Sequence, residues 1–437
     1  MFNIIRAIIY MKGNDNMPKI PNWLKLDNAA TIYPSTLSKK YAAMFRLTVT
    51  LNEKVDPETL ELAANNIIDR FPTFKYKLKQ GLFWCYFKRI NNKIRVQSDY
   101  NNPMLRINFK ESNNYMFRIR YYENRIAVEF FHALTDGSGG IKFILTLVGE
   151  YIRLKYNKNI SYNDLVLNPK DKVKRYEYSD DFYKYARKIG SLEKEKEAYH
   201  YKGTLENNNI LNIITGIVEI DKLKEKCKEY NASITCFLAS LLIYSIQELK
   251  GNSKNKKPIK ISIPVNLRNY YESSTIRNFS SYVNVGIEPI YGNYTFEEII
   301  KIVKNSMGLG LTEKKLNAKF SANVKLSENI FIRLIPMFIK KRIMSLTDKM
   351  MGDRYCTHTL SNLGNIVTPK PLDNYIEELG FIIGKSRGKP GSCSCVGYKN
   401  NIYITFSRKI KETELERIFF TKLVEMNIPV LIESNRR

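Results

Sequence analysis

Over residues 42–51, apolar side chains occupy every second position. This period of two predicts a strand with one buried face. Asp56 and Pro57 follow it, and they are residues typical of the N-cap and first position of a helix. The next apolar residues recur at helical spacing, so we expect a helix directly after the strand.

The same patterns predict further elements along the chain. Strands are expected over residues 82–87, 105–109, 115–121, 125–132 and 259–265. Helices are expected over residues 141–154, 234–249 and 296–303, and a strand, a helix and a strand over residues 402–432. Because strands and helices mix without a regular β-α-β alternation, the expected fold class is α+β, an α/β sandwich.

Residues 168–203 are rich in charged side chains and tyrosine and carry no sustained apolar face. We interpret them as a segment that connects two halves. The first half is expected at residues 17–167 and the second at residues 204–437, with residues 1–16 as a loose extension before Met17. A chain of 437 residues fits two such units.

Residues 330–346 combine apolar side chains with lysine and arginine, and Pro336 would kink a helix there. Such a basic amphipathic helix fits either peripheral contact with a membrane surface or packing against the protein's own sheet, and packing is our expectation. The apolar run at residues 1–10 is shorter than the roughly 20 residues of a membrane span. The expected location is the cytoplasm.

The net charge of +27 would attract nucleic acid, anionic lipid, acidic proteins or phosphorylated ligands. The basic residues are spread along the whole chain, which favours a compositional bias over one binding stripe. No nucleic-acid motif accompanies the charge, so no nucleic-acid partner is expected. The six cysteines match neither a redox pair nor a zinc motif, which indicates free thiols.

Three histidines occur in the chain, so few side chains can act as a general base near neutral pH. His132 ends a predicted strand on its apolar face, where partial desolvation would favour the neutral imidazole. Asp136 follows four residues later, and Gly137-Ser-Gly-Gly allows a tight turn there. A histidine at a strand end is more often structural, but this context favours a catalytic role.

The motif His132-x-x-x-Asp136-Gly137 at the end of a strand resembles the active-site motif of the chloramphenicol acetyltransferase-like superfamily. That superfamily includes peptide-synthetase condensation domains and alcohol acyltransferases. Three further segments agree in order and look most like its bacterial alcohol acetyltransferase-like branch: Trp23-Leu-Lys-Leu-Asp27-Asn-Ala-Ala, Pro264-Val-Asn266-Leu-Arg268 and Ser361-Asn362-Leu-Gly364. The resemblance implies two subdomains of this fold that form a pseudo-dimer with a tunnel between them.

The resemblance also implies the chemistry. His132 would act as general base while an acyl group moves from a thioester, acyl-CoA or an acyl-carrier protein, to a hydroxyl or amine. Asp136 would pair with Arg268, and this pair, together with Gly137, would support the loop that holds His132. Ser361 and Asn362 are candidate oxyanion or substrate contacts. No metal and no bound cofactor are implied, and the expected partners are the thioester, the acceptor and, as a further option, an acidic carrier protein.

One position departs from the resemblance. Condensation domains usually carry two adjacent histidines, and Phe131 stands where the first would be. This argues against a condensation domain more than against acyl transfer. The alternative hypothesis is a non-catalytic or carrier-protein-binding relative of condensation domains.

Overall fold

The computed structural model describes residues 20–37, 43–100, 102–188, 194–207, 210–347, 353–386 and 388–436. The extension expected at residues 1–16 lies outside the described residues.

In the first half of the chain, short strands precede one long helix. The elements in chain order are β1 (Trp23–Lys25), α1 (Tyr33–Thr36), β2 (Met44–Leu51), α2 (Pro57–Ile67), β3 (Tyr76–Gln80), β4 (Cys85–Arg89), β5 (Val96–Ser98), β6 (Phe117–Tyr122), β7 (Arg125–Phe131), α3 (Gly137–Tyr156) and α4 (Asp181–Tyr185).

The second half has longer strands and more helices. Its elements are β8 (Asn212–Glu219), α5 (Ile220–Glu229), α6 (Ile234–Lys250), β9 (Ile259–Asn266), β10 (Ser280–Ile287), α7 (Phe296–Gly310), α8 (Glu313–Glu328), α9 (Ile330–Leu334), α10 (Met337–Thr347), β11 (His358–Ile366), β12 (Ile376–Ile383), β13 (Gly391–Tyr398), β14 (Asn401–Arg408), α11 (Glu414–Glu425) and β15 (Leu431–Ser434).

The strands of the described residues form three sheets. A small sheet has the order β1-β4-β3, a second has the order β12-β2-β7-β6-β5, and the third has the order β10-β9-β11-β13-β14-β8-β15. Most neighbours are antiparallel, but β11 runs parallel to both β9 and β13. The predicted α+β class is confirmed.

Two hydrophobic cores are present among the described residues, and the first contains residues of both halves, such as Phe381 and Tyr398 from the second. In the first, Phe45, Phe74, Phe130 and Phe143 join β2 and β7 to the long helix α3. In the second, helices α6, α7 and α11 pack together beside the large sheet. Buried aromatic pairs each add about 0.5–1.5 kcal/mol beyond their area, so the sheet beneath the site is firmly fixed to its helix.

One strand crosses between the halves. β12 comes from the second half but pairs antiparallel with β2, with Phe381 opposite Leu47. Its other neighbours are β13 and β14, against which it packs. The hydroxyls of Ser394 and Ser407 donate to the carbonyl oxygens of Phe381 and Ile383, at 2.6 Å each. The boundaries of the halves at residues 167 and 204 stay a prediction.

Most predicted elements are present with small shifts at their ends, but two differ. Residues 105–109 form no strand. The helix expected to begin at Ile141 begins at Gly137, because the Asp136 side chain caps it by accepting a hydrogen bond from Gly139 N. The glycines therefore form the first turn of α3 rather than a flexible loop.

The segment predicted as one kinked amphipathic helix consists of α9 and α10, which are separated at Pro336. Its apolar side chains are largely exposed instead of packed on a sheet, Phe331 at 79% and Phe338 at 63%. Main-chain contacts hold α10 in place, since Met337 N donates to Leu82 O at 2.6 Å in the β3–β4 turn.

No single helix among the described residues is long and apolar enough to cross a membrane. Helices α5 and α6 reach the length and apolarity of a membrane span only when they are taken together, and they are bent by 79° relative to each other.

Candidate active site

His132 is the first residue after β7, and its main chain is tied to the start of β2. Its N–H donates to Ala43 O at 2.9 Å. The Tyr33 ring stacks on the imidazole with ring centroids 4.8 Å apart, and Phe45 presents an edge at 5.3 Å. The half-buried imidazole is therefore confined on two sides by aromatic rings.

The third contact of the imidazole is polar. His132 Nδ1 lies 3.2 Å from Asn278 Oδ1, and Asn278 Nδ2 donates to Asp27 Oδ2 at 3.3 Å. Asn278 is fully buried and comes from the loop before β10, 146 residues away in sequence. A polar chain Asp27–Asn278–His132 thus reaches from the N-terminal segment to the imidazole.

This chain fixes which imidazole nitrogen carries the proton. Ala30 N donates to Asp27 Oδ1 at 2.7 Å, and Arg277 Nε lies 3.4 Å from Asp27 Oδ2. A carboxyl surrounded by donors orients the NH₂ of Asn278 toward itself, so the amide oxygen faces His132. That oxygen only accepts, hence Nδ1 donates and Nε2 carries the lone pair. Among the described residues, Nε2 has no hydrogen-bond partner.

A second carboxyl lies close to Asp27. Asp180 accepts hydrogen bonds from Asn28 N at 2.9 Å and from Phe182 N at 3.2 Å. Burial and the nearby Asp27 raise the pKa of Asp180 to about 7, against the opposing effect of Arg277. Burial also raises the pKa of Asp27. Two carboxyls share one guanidinium here, which disfavours the doubly ionised state.

Asp136 points away from the imidazole and meets Arg268. Arg268 Nη1 donates to Asp136 Oδ2 at 2.8 Å, and the same oxygen accepts from Phe279 N at 2.8 Å. Arg268 also donates to the carbonyl oxygens of Thr275 at 3.0 Å and Arg277 at 2.6 Å. The pair therefore holds residues 275–279, the segment that carries Asn278.

Gly137 allows the motif to approach β11. A Cβ atom at Gly137 would lie 2.6 Å from Leu363 Cδ2, so a larger residue there would require the end of the Leu363 side chain to shift. Ser361 and Asn362 precede Leu363, which brings their segment next to the first turn of α3. Asn362 is already engaged, because its Nδ2 donates to Thr235 Oγ1 at 3.0 Å and its Oδ1 accepts from Gly364 N at 2.7 Å. Ser361 is the freer candidate donor of the two.

The other histidines lie outside this arrangement. His358 is buried in the core of the second half, and burial lowers its pKa to about 3. Burial also lowers the pKa of His200. Neither is joined to Asn278 or Asp136 by a contact among the described residues.

A cavity of about 320 Å³ lies between the sheets of the two halves. Its lining includes Arg46, Asp99 and Arg125 beside Glu378 and Glu433, but not His132. Arg46 forms ion pairs with Asp99 and Glu129, so much of this charge is compensated internally. We locate the candidate site at His132 because the geometry that prepares a base is there.

A family model described as alcohol acetyltransferase matches residues 182–382. Two solved proteins of Fusarium sporotrichioides are similar in fold. TRI101, solved with coenzyme A and T-2, has a TM-score of 0.60 at 12% identity, with 93% of this chain and 99% of that chain covered. TRI3, a trichothecene 15-O-acetyltransferase, has a TM-score of 0.59 at 11% identity, with 92% and 94% covered.

The epimerization domain of the third module of tyrocidine synthetase B is also similar, with a TM-score of 0.57 at 11% identity and coverage of 92% and 96%. The chain therefore shares the fold of these proteins, and its residues 182–382 are similar to the alcohol acetyltransferase family. No curated protein sequence matches the chain significantly.

The sequence alone does not predict the residues that surround the imidazole. Asn278 and Tyr33 lie far from His132 in sequence, and no local pattern links them. Asp27 had been noted only as part of a resembling segment. Asn278 stands between Arg277 and Phe279, and this sequence gives no indication of the contact with His132.

Proposed function

We propose that the protein transfers an acyl group from a thioester to a hydroxyl or amine acceptor, with His132 as general base. The supporting observation is the Asp27–Asn278–His132 chain, which leaves the lone pair of Nε2 available for a proton. A positioned base of this kind typically contributes about 10²–10⁴ in rate.

In the proposed reaction, Nε2 accepts the proton of the acceptor O–H or N–H while the acceptor atom attacks the thioester carbonyl carbon. A tetrahedral intermediate forms, and its negative oxygen requires a donor, for which Ser361 is the candidate. The C–S bond then breaks, and the leaving thiolate takes the proton from the imidazolium of His132. No acyl-enzyme is formed, and the products are an ester or amide and a free thiol.

Asp136 and Arg268 are assigned to positioning. They hold residues 275–279, and Asn278 in that segment orients the imidazole. Their expected contribution is indirect, because neither side chain contacts His132 among the described residues.

The test is release of free thiol from a series of acyl-CoAs and acyl-carrier proteins, each offered with pooled alcohols and amines. His132→Ala should lower the rate by at least about 10²-fold, the typical contribution of a general base. His200→Ala is the matched control, since His200 has no contact with the site, and it should keep the wild-type rate. Thioester-dependent acylation that persists unchanged in His132→Ala would falsify the proposal.

A further inference from the structure

An unusual surface lies on the small sheet and the adjacent helices α9 and α10. Both tryptophans of the chain are there and exposed, Trp23 at 58% and Trp84 at 61%. Next to them, α9 and α10 expose further large apolar side chains: Ile330, Phe331, Leu334, Phe338 and Ile343. We call this the apolar–basic surface.

Hydrogen bonds attach α10 to the β3–β4 end of the small sheet. The β3–β4 turn accepts from α10 at two carbonyls, Leu82 O from Met337 N at 2.6 Å and Phe83 O from Lys340 Nζ at 2.8 Å. Lys341 Nζ also donates to Gln80 Oε1 at 2.5 Å. The exposed Phe338 is therefore held beside the turn that carries Trp84.

The strand register explains why aromatic and basic residues share one side. Trp23 pairs with Lys88 and Lys25 with Tyr86, and paired side chains point to the same side of a sheet. Lys79 pairs with Tyr86 across the other edge of β4, on this same side. The opposite side carries Leu24, Leu78 and Phe87, which pack into the core.

The surface is basic throughout. Its segments, residues 23–25, 76–89 and 329–347, contain no aspartate or glutamate. Their basic residues are Lys25, Lys77, Lys79, Lys88, Arg333, Lys340, Lys341 and Arg342, together with Arg89, which lies on the same side of β4 as the buried Phe87 and does not face the surface. Elsewhere many basic residues are matched by nearby acids, as in the ion pairs along α5 and α11.

We propose that the apolar–basic surface binds an anionic lipid bilayer peripherally. Exposed phenylalanine and leucine can enter the boundary between headgroups and acyl chains, tryptophan is favoured at that depth, and lysine and arginine attract anionic headgroups. A second copy of the chain is a poorer occupant, since a two-fold interface would oppose basic residues to the same basic residues.

Binding there would bring the candidate site close to the lipid. Helix α10 packs against α1, and α1 carries Tyr33, whose ring stacks on His132. The inference about lipid binding does not depend on the proposed acyl transfer. His132→Ala should bind vesicles like the wild type, so the two proposals can fail separately.

The experiment measures binding to phosphatidylcholine vesicles with and without phosphatidylglycerol, by co-sedimentation and by intrinsic fluorescence. Because the chain has only the two tryptophans of this surface, a blue shift of their emission reports its burial directly. The wild type should bind the vesicles that contain phosphatidylglycerol and show this shift. Absence of binding to them would overturn the proposal.

Two pairs of variants localise the contact. Phe331→Ser with Phe338→Ser should weaken vesicle binding at least about tenfold, because two aromatic side chains that would become buried in the bilayer are lost. The control pair Leu62→Ser with Val424→Ser removes similarly exposed side chains, at 53% and 55%, outside the surface and should bind normally. Equal binding by the two double variants would contradict the proposal.

Charge is tested in the same way. Lys79→Gln with Lys88→Gln should weaken binding about fivefold for each residue, whereas Lys254→Gln with Lys256→Gln, in the exposed loop after α6, should have little effect.

Sedimentation velocity without lipid completes the test. A dimer that Phe331→Ser with Phe338→Ser dissociates, without vesicle binding by the wild type, would replace the bilayer with a second copy.

Discussion

The orientation of His132 depends on side chains from three distant parts of the chain, Tyr33, Phe45 and Asn278. Two rings limit its rotation, and the amide oxygen selects the tautomer. An imidazole alone in water populates both tautomers and rotates freely. The neighbours therefore prepare a base that the histidine by itself would not be.

Asn278→Ala tests this at the level of one residue. Loss of the acceptor for Nδ1–H should lower kcat about 10- to 100-fold, by analogy with the partners that orient metal-bound imidazoles, with little change in KM. Steady-state kinetics and a thermal unfolding curve are the measurements. A raised KM with unchanged kcat would mean that Asn278 contacts substrate instead.

Asp180 gives the protein a predictable pH dependence. Its pKa is raised from 3.8 to about 7, so the native state binds the extra proton within this window. Because the folded protein holds more protons than the unfolded chain there, the free energy of unfolding falls as pH rises, by up to about 1.4 kcal/mol per pH unit.

Asp180→Asn removes this titration. The free energy of unfolding, measured in urea at several pH values between 3.8 and about 7, should therefore change less with pH than in the wild type. Asp221→Asn on the exposed side of α5 is the control and should keep the wild-type slope. If the free energy of unfolding of Asp180→Asn fell with pH as steeply as that of the wild type, Asp180 would not be the origin of the pH dependence.

At the scale of elements, close packing at the start of α3 limits which residues can stand there. A Cβ atom at Gly139 would overlap Ile276 O and Thr135 Oγ1, and Thr135 Oγ1 itself donates to Ile276 O at 2.6 Å. The first turn of α3 and residues 275–279 thus touch without room for a methyl group.

Gly139→Ala should therefore lower the free energy of unfolding by about 1–3 kcal/mol through overpacking, and it should reduce kcat by displacing Asn278. At Gly308 in α7, an added Cβ atom would have no neighbour within 4 Å outside the backbone of its own helix. Gly308→Ala should therefore raise the free energy of unfolding by up to about 1 kcal/mol. Chemical denaturation of both variants distinguishes a steric effect from a general effect of alanine.

Elements were predicted well where periodicity or capping residues were strong. The pattern at Asp56-Pro57 gave the start of α2, since Asp56 accepts from Thr59 N at 2.8 Å. Residues 105–109 were predicted as a strand, yet they form none, because a short apolar run does not specify a pairing partner. The start of α3 was placed four residues late because glycine is a poor helix former in isolation.

At the scale of the molecule, the ion pair between Asp136 and Arg268 connects the two halves. Its side chains are 6% and 11% exposed, so the remaining charge would be poorly solvated if one partner were removed. Asp136→Asn should lower the free energy of unfolding by about 3–5 kcal/mol.

The control for Asp136→Asn is Arg187→Ala, which breaks an ion pair with Glu313 whose side chains are 61% and 47% exposed. That change should cost less than about 1 kcal/mol. Equal losses in the two variants, measured by urea unfolding, would mean that the buried pair does not hold the halves together.

The sequence by itself determined the α+β class, most of the helices and strands, and the resemblance that drew attention to His132, Asp136 and Arg268. Periodicity, capping residues and motif spacing are local, and they are readable in one dimension. Only the tertiary structure decided that β12 joins the sheet of the other half, that Asn278 meets His132, and that the apolar side of α9 and α10 stays exposed. Each depends on contacts between residues far apart in sequence, where the partner is selected by packing of the whole chain and not by any local pattern.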